Sequence, residues 1–142
     1  MKKTEKSRTI KLEIASRFEL LDLVQTVLTH AATLVGFGDE SSHYMSVAVR
    51  ESVVNAIKHG NRLDEERRVV LEFVIHEGSL EVVVRDEGGG FDPACVADPL
   101  APENLLKTAG RGIFFMRSFM DEVDYSFPSR GGTIVRMVKR VA

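Results

Sequence analysis

The stretch LEVVVRDEGGGFD, residues 80–92, changes character at its middle. Its first half contains three consecutive valines, 82–84, between Glu81 and Arg85, and such a run of β-preferring residues is typical of a strand. Asp86 and Glu87 then lead directly into three consecutive glycines, 88–90. The stretch therefore predicts a strand that ends at an acidic residue and a glycine-rich turn. A single Asp-x-Gly-x-Gly pattern is common, so on its own it indicates no more than such a turn.

The acid suggests a specific use for this turn. A carboxylate buried at a strand end needs hydrogen-bond donors, and the exocyclic amine of adenine is one. Guanine has an acceptor oxygen at the same place, so Asp86 would bind adenine and repel guanine. Glycine at positions 88 and 90 would let the backbone approach the face of the purine, where a Cβ would clash. We therefore interpret Asp86, Gly88 and Gly90 as candidate adenine-binding residues.

Working outward, the neighbouring segments predict the rest of the fold. Residues 68–75 and 80–85 predict two strands joined by a glycine-containing hairpin turn at 76–79. Other predicted elements are a strand at 9–14, a helix from Arg17 to Leu34 or Val35, a helix from Asp39 or Ser41 to Lys58 or His59, a helix at 112–120, and strands at 123–127 and 133–141. Ser16 and Glu19 have the spacing of a capping box before the first helix. The segment 92–109 contains three prolines and predicts a loop or lid.

This element order predicts an α+β fold, a two-layer sandwich with helices on one face of a mixed, mainly antiparallel sheet. The length of 142 residues suits one domain, which we place at 9–142 after a flexible tail at 1–8. A net charge of −2 and the lack of a basic stripe argue against nucleic-acid binding. The uncharged run 23–38 carries several polar residues and predicts a packed helix instead of a membrane span. One cysteine, Cys95, rules out an internal disulfide, and we expect a cytoplasmic protein.

The second predicted helix carries two further candidates. Glu51 and Asn55 are four residues apart, so they lie one turn above the other beside the apolar stripe. Taken alone, they are more simply two solvated polar residues. The row His59-Gly60-Asn61 extends them, however, and the pair suits phosphate chemistry. An Asn oxygen can bind Mg²⁺ that is already surrounded by phosphate oxygens, and Glu can accept a proton from an attacking hydroxyl.

Two glycine-containing segments complete the set of candidates. Gly110 and Gly112 flank Arg111 just before a predicted helix, where backbone N–H groups can bind an anion. Arg111 can add charge toward a γ-phosphate or simply point to solvent. Thr133, after two glycines, can hydrogen-bond beside the adenine or simply begin the last strand. The pattern GxxxxGK[ST] is absent from the sequence, which excludes a P-loop.

In their order, the segments ESVVNAIKHGN, RDEGGGFD, GRGIFFMRSFMDEV and GGTIVRMVK resemble the nucleotide-binding boxes of the gyrase/histidine-kinase (GHKL) ATPase superfamily. Within it, the chain is similar to the small anti-sigma-factor serine kinases. The resemblance implies a Bergerat-type fold, ATP or ADP and Mg²⁺ as ligands, and an ATP lid near 93–111. It also implies roles for individual residues: Glu51 as catalytic base, Asn55 as Mg²⁺ ligand, Asp86 with Gly88 and Gly90 around adenine, Gly110 and Gly112 over the phosphates, and Thr133 near the base.

The function that this resemblance implies is ATP-dependent phosphorylation of a serine on an anti-anti-sigma protein, together with sequestration of a sigma factor. Homodimers occur among such kinases, and no membrane partner is expected. The alternative is a non-catalytic binding module in which the bound nucleotide only controls the affinity for a regulator. Glu51 argues against that alternative, since a pure binder has no need of a carboxylate there. A third interpretation, a structural domain that binds no nucleotide, is disfavoured by the four ordered boxes.

Overall fold

The structure, a computed structural model, describes residues 8–88 and 117–141 of the chain. The strands are β1 Arg8–Ala15, β2 Arg68–His76, β3 Ser79–Asp86, β4 Glu122–Ser126 and β5 Ile134–Arg140. The helices are α1 Leu21–Val35, preceded by a 3₁₀ turn at Phe18–Leu20, and α2 Asp39–Asn55, continued by a π-helical turn at Ala56–Gly60. Residues 117–119 are also helical.

The five strands form one sheet in the order β1-β2-β3-β5-β4, and all four pairings described are antiparallel. Strict alternation of burial along β2 and β3 shows that one face of the sheet is covered and the other is open. The covered face is apolar at nearly every position. Ile10 pairs with Phe73 and Leu12 with Leu71 on that face, which accounts for the period-2 pattern read in the sequence.

Both helices pack on the covered face of the sheet. The stripe predicted on α2 is buried at every position: Met45, Ala48, Val49, Ser52 and Val53, followed by Ala56 and Ile57 in the π-helical turn. Leu21, Val24, Leu28, Ala31 and Ala32 of α1 join the same core. The prediction of a two-layer α+β sandwich is therefore confirmed.

Packing in the core accounts for part of the apolar character of α1. The segment Phe18–Val35 has a mean hydropathy of 1.2, and by length and composition alone it would also pass as a membrane span. A core helix passes the same criterion, and five residues of α1 are buried against α2 and the sheet. Gly36, with φ of 107°, ends α1 in the left-handed conformation, so the helix ends at Val35, within the predicted bounds.

Three predicted details differ from the structure. The capping box is wrong: Ser16 caps no helix, because its hydroxyl donates to Arg67 O (2.6 Å) and accepts from Asn61 Nδ2 (2.8 Å). The first helix begins as a 3₁₀ turn at Phe18, one residue later than predicted. The strand at the N-terminal end begins at Arg8, which pairs with Ile75, so Arg8 is not part of the predicted tail.

Several predictions lie outside the described residues. They concern the rest of the N-terminal tail, the lid near 93–111, Cys95 and most of the helix predicted at 112–120. Of that helix, residues 117–119 are helical in the structure.

Candidate functional site

Asp86 occupies a position where the strand pattern calls for a hydrophobic residue. Leu80, Val82 and Val84 of β3 face the core, and period 2 carries Asp86 onto the same side. It pairs with Val69 at the end of the β2–β3 ladder, and only 5% of its surface is exposed. A carboxylate is thus held at the edge of the core, where burial is unfavourable for its charge.

Backbone groups partly compensate that burial. The Oδ1 atom of Asp86 accepts hydrogen bonds from the N–H of Gly88 (2.9 Å) and of Thr133 (3.1 Å). The N–H of Asp86 in turn donates to Thr133 O at 3.1 Å. Burial raises the pKa of Asp86 above 3.8, and the two N–H groups and the charge of Arg67 oppose that rise. Within residues 8–88 and 117–141, the Oδ2 atom has no hydrogen-bond donor, so it can accept from a ligand.

Three glycines from three different segments approach Asp86 closely. A Cβ added to Gly60 would lie 2.2 Å from Asp86 Oδ2, and one added to Gly132 would lie 2.4 Å from Asp86 O. A Cβ at Gly88 would lie 2.7 Å from Gly60 O and 2.9 Å from Asp86 Oδ1. Only glycine fits at these distances, so the helix end, the strand end and the turn before β5 all depend on glycine to surround the acid.

The end of α2 has an irregular backbone where it meets Asp86. The N–H of Asn61 bonds Ala56 O at 2.7 Å, which makes a π-helical turn, and the N–H of Leu63 reaches back to Ile57 O at 2.8 Å. Arg62 and Leu63 follow with φ of 52° and 61°, a conformation that residues with side chains adopt rarely. Such π turns and strained residues concentrate at functional sites. Here they end the helix so that Gly60 contacts the carboxylate.

Glu51 and Asn55 lie on this same helix. Asn55 is the last residue of α2 and Glu51 lies one turn before it, and both are half-buried, beside the buried stripe. Neither side chain makes a hydrogen bond or ion pair with other described parts of the chain. At about 1.5 Å rise per residue, Asn55 lies roughly 7 Å before Gly60 along the helix axis, and Glu51 lies roughly 13 Å before Gly60. Asn55 and Glu51 therefore lie successively farther along the helix from Gly60, which contacts Asp86.

The remaining predicted residues divide into two groups. Thr133 contacts Asp86 through its backbone N–H and C=O, and β5 begins one residue later, at Ile134. Gly90, Gly110, Arg111 and Gly112 lie outside the described residues.

Sequence reasoning missed three residues that build this site. Gly60 and Gly132 were noted in the sequence only as neighbours of candidate residues, and Asn61 only as part of a polar row. The structure shows Asn61 to be fully buried. Gly132 stands in a glycine pair before the last strand, a signal for positive φ, and its φ is 87°.

A surface groove of about 620 Å³ lies elsewhere and does not include these residues. It is lined by Asp22, Gln25, Thr26, Thr29, His30 and Thr33 of α1, with Ser46 of α2. None of the predicted site residues lines it.

Comparison with known protein families gives this geometry its context. The family model described as "Histidine kinase-like ATPase domain" matches residues 14–139, nearly the whole chain. The chain belongs to the histidine kinase-like ATPase domain family. The resemblance read from the four sequence boxes is thus confirmed at the level of the family.

Within this family, the chain is similar to proteins named serine-protein kinase RsbW. It is 28% identical to those of Bacillus pumilus, Listeria monocytogenes and Bacillus subtilis. The alignments cover 92–93% of this chain and 84–87% of the relatives. The match therefore extends over most of the length of both chains.

A solved structure shares the fold. The crystal structure of the RsbU and RsbW domains of a Mycobacterium tuberculosis protein matches 94% of this chain with a TM-score of 0.67 and 16% sequence identity. This chain spans 32% of that longer chain. The likeness supports the histidine kinase-like ATPase architecture.

Proposed function

We propose that this protein is an ATP-dependent serine protein kinase that phosphorylates an anti-anti-sigma protein and, as an anti-sigma factor, sequesters a sigma factor. The observation that carries the proposal is the buried Asp86 carboxylate, which lies in a cradle formed by Gly60, Gly88 and Gly132. That arrangement sits at the end of the helix that carries Glu51 and Asn55. The family and the names of the similar proteins support the same function.

The shape of the cradle fits an adenine base. Asp86 Oδ1 is already satisfied by two backbone N–H groups, which leaves Oδ2 to accept from an exocyclic amine. Two N–H donors fixed on one oxygen also hold the plane of the carboxylate, so the second oxygen is presented in one orientation. The absence of side chains at Gly60, Gly88 and Gly132 lets the backbone of three segments approach the acid closely and hold it in place.

The polar edge of α2 fits the phosphate end of the nucleotide. Asn55 supplies an amide oxygen, a suitable ligand for Mg²⁺, which when bound neutralises phosphate charge. No group of three or more His, Cys, Asp or Glu residues that could hold a metal occurs among residues 8–88 and 117–141. Phosphate oxygens and water would therefore complete the coordination begun by Asn55.

Glu51 lies one turn farther along and accepts the proton of the substrate serine hydroxyl as the phosphoryl group is transferred. Its half-exposed position on α2 leaves it reachable by a partner protein. Phosphoryl transfer of this type depends mainly on positioning and charge neutralisation, so a correctly placed carboxylate is sufficient. The backbone N–H groups around Gly110 and Gly112, with Arg111, are proposed to cover the phosphates.

The partners are proposed from the relatives. Proteins named serine-protein kinase RsbW act on serine by name, and the solved chain joins an RsbW domain to an RsbU domain, which fits a regulatory assembly. We propose a cytoplasmic protein that can form homodimers and binds neither nucleic acid nor membranes. Its net charge of −2 agrees with protein partners rather than with nucleic acid.

The test is label transfer from γ-labelled ATP to small anti-anti-sigma proteins, with Glu51→Gln as the variant. We expect Glu51→Gln to reduce the transfer rate by about a hundredfold or more, as removal of a general base does, while ATP affinity stays within a few-fold. Glu40→Gln is a matched control on the first turn of the same helix and should transfer label normally. Normal transfer by Glu51→Gln would show that Glu51 is not the base.

A second candidate, the nucleotide-gated binding module, is separated by the same assay. It predicts a stable complex with the partner in ATP or ADP and no label transfer by the wild type. The half-exposed carboxylate of Glu51, placed one turn from Asn55, favours the kinase.

A further inference from the structure

Asn61 is a fully buried polar residue immediately after the helix that carries Glu51 and Asn55. Its Nδ2 donates to Ser16 Oγ (2.8 Å) and to Arg68 O (3.0 Å), and its Oδ1 accepts from the N–H of Glu87 (2.8 Å). Both protons of the amide nitrogen and one lone pair of the oxygen are therefore used. The side chain connects the ends of β1, β2 and β3 at a single point.

The chemistry of these partners requires an amide. Arg68 O can only accept, so it must face the nitrogen, while the Glu87 N–H can only donate, so it must face the oxygen. Ser16 Oγ accepts a hydrogen bond from Asn61 and donates its own hydrogen bond to Arg67 O at 2.6 Å, in agreement with this orientation. Aspartate would place oxygen against the Arg68 carbonyl, and an apolar residue would leave buried groups unpaired.

Asn61 holds both walls of the Asp86 cradle in place. The helix wall is Gly60, and the strand wall is Glu87 with Gly88. Through the peptide bond it fixes Gly60, which contacts Asp86 from the helix side. Through Oδ1 it fixes Glu87, the residue between Asp86 and Gly88 on the strand side. Glu87 is held again by its own Oε2, which accepts from the N–H of Arg68 at 2.9 Å.

We propose that Asn61 is a positioning residue for the base-binding end of the nucleotide site. It sets the spacing between the helix wall and the strand wall so that Asp86 Oδ2 meets the base in one geometry. This inference rests on the proposed function, since it names a residue that organises the same site. The strained residues Arg62 and Leu63, which follow Asn61 with positive φ, show that this turn is held in an unusual conformation.

The experiment compares Asn61→Ala with Leu80→Ala, a core variant at the opposite end of the β2–β3 hairpin. Both are expected to lower thermal stability, because each removes buried interactions. Affinities for Mg·ATP, adenosine and Mg·tripolyphosphate are measured at a temperature where both variants are folded by circular dichroism. Adenosine reports the base end of the site alone and tripolyphosphate the phosphate end alone.

We expect Asn61→Ala to weaken ATP and adenosine binding by about tenfold or more, because only the fraction of molecules with a correctly spaced cradle can bind the base. Tripolyphosphate affinity should change less than about twofold, and Leu80→Ala should leave all three affinities near those of the wild type. Equal losses for all three ligands, or losses in Leu80→Ala that match those in Asn61→Ala, would overturn the positioning role.

Two further measurements keep the result interpretable. If Asn61→Ala does not fold, Ser16→Ala takes its place, since it removes one partner of Nδ2; the same ligand pattern is expected at smaller size, and unchanged adenosine affinity would count against the inference. Asp86→Asn is measured alongside. Lost ATP affinity in Asp86→Asn with unchanged affinity in Asn61→Ala rejects the inference alone, whereas a wild type that binds no ATP rejects the proposed function.

Discussion

The two ends of the β2–β3 hairpin are built from the same strands but follow different rules. At the turn end, Ile75 pairs with Leu80 in the core, and Gly78 takes a φ of 77° with nothing within 4 Å of its missing Cβ. At the other end, Val69 pairs with Asp86, a buried acid. There the missing Cβ atoms of three glycines would all lie within 3 Å of Asp86 or of one another's backbone.

We interpret this difference as a division between positions that serve the fold and positions that are proposed to serve a ligand. At the turn end, the Gly78 carbonyl accepts a hydrogen bond from the N–H of Val141, just after β5, at 2.9 Å, and apolar side chains are buried. At the Asp86 end, an acid is buried in place of an apolar side chain, the helix terminates in a π-helical turn, and two residues, Arg62 and Leu63, have positive φ. Substitutions at the turn end should therefore change stability alone, whereas substitutions at the Asp86 end should change stability and nucleotide binding together.

The largest effect is expected from a matched pair of glycines. Gly78→Ala and Gly132→Ala both place a side chain at positive φ, 77° and 87°, which costs about 1 kcal/mol. Gly132→Ala also drives a Cβ to within 2.4 Å of Asp86 O, a backbone atom that cannot move cheaply. We expect the free energy of unfolding of Gly132→Ala in urea to fall by ~2 kcal/mol more than that of Gly78→Ala, as overpacking does. We also expect Gly132→Ala to lose ATP binding. Equal losses would show that the cradle is not tightly built.

The next effect is a pH dependence at Asp86. Because its pKa is raised in the folded state, the folded protein binds a proton more tightly than the unfolded chain. The contribution of Asp86 to stability is therefore present at low pH and is lost as pH rises from 3.8 through the raised pKa. It amounts to about 1.4 kcal/mol for every tenfold difference in proton affinity between the folded and unfolded states.

We expect Asp86→Asn to lack this loss. Thermal unfolding across that pH range, without nucleotide, should show the wild type losing stability relative to Asp86→Asn as pH increases, and a constant difference above the raised pKa. A difference that stays constant throughout, or that changes in the opposite direction, would mean that burial does not control the carboxyl group.

The smallest effect distinguishes two buried serines. Ser16, at the Asp86 end, uses its hydroxyl as both donor and acceptor, whereas Ser52 Oγ in the α2 core has no hydrogen-bond partner among the described residues. Ser52→Ala should stabilise the protein by about 1 kcal/mol, because an unpaired buried hydroxyl is removed, and raise Tm by roughly 3 °C. Ser16→Ala should lower Tm. A fall in Tm for Ser52→Ala would contradict this expectation.

Local patterns were sufficient to predict the elements of the fold. The alternation at residues 9–14 and the apolar stripe on α2 predicted which residues of those elements face the core, because period 2 and period 3.6 follow from backbone geometry alone. The position of Asp86 at a strand end followed from the run of β-preferring residues before it. These are properties of residues close in sequence.

The contacts between distant segments could not be predicted in the same way. The Ser16–Glu19 spacing predicted a capping box, but the Ser16 hydroxyl bonds Asn61, 45 residues away. Gly60 and Gly132 approach Asp86 only after the helix end and the β5 turn have been brought to the end of β3. A glycine in the sequence shows that a side chain is absent, and only the folded chain shows what occupies the space.

The central claim is that the Asp86 carboxylate recognises adenine by accepting a hydrogen bond from its exocyclic amine. Binding calorimetry on the wild type and Asp86→Asn tests this claim most directly. We predict that the wild type binds Mg·ATP and discriminates strongly against Mg·GTP. Asp86→Asn should remain folded and bind Mg·ATP at least about tenfold more weakly, because an acceptor for the amine becomes a donor. Wild-type affinity for ATP in Asp86→Asn, or equal binding of ATP and GTP by the wild type, would contradict the account.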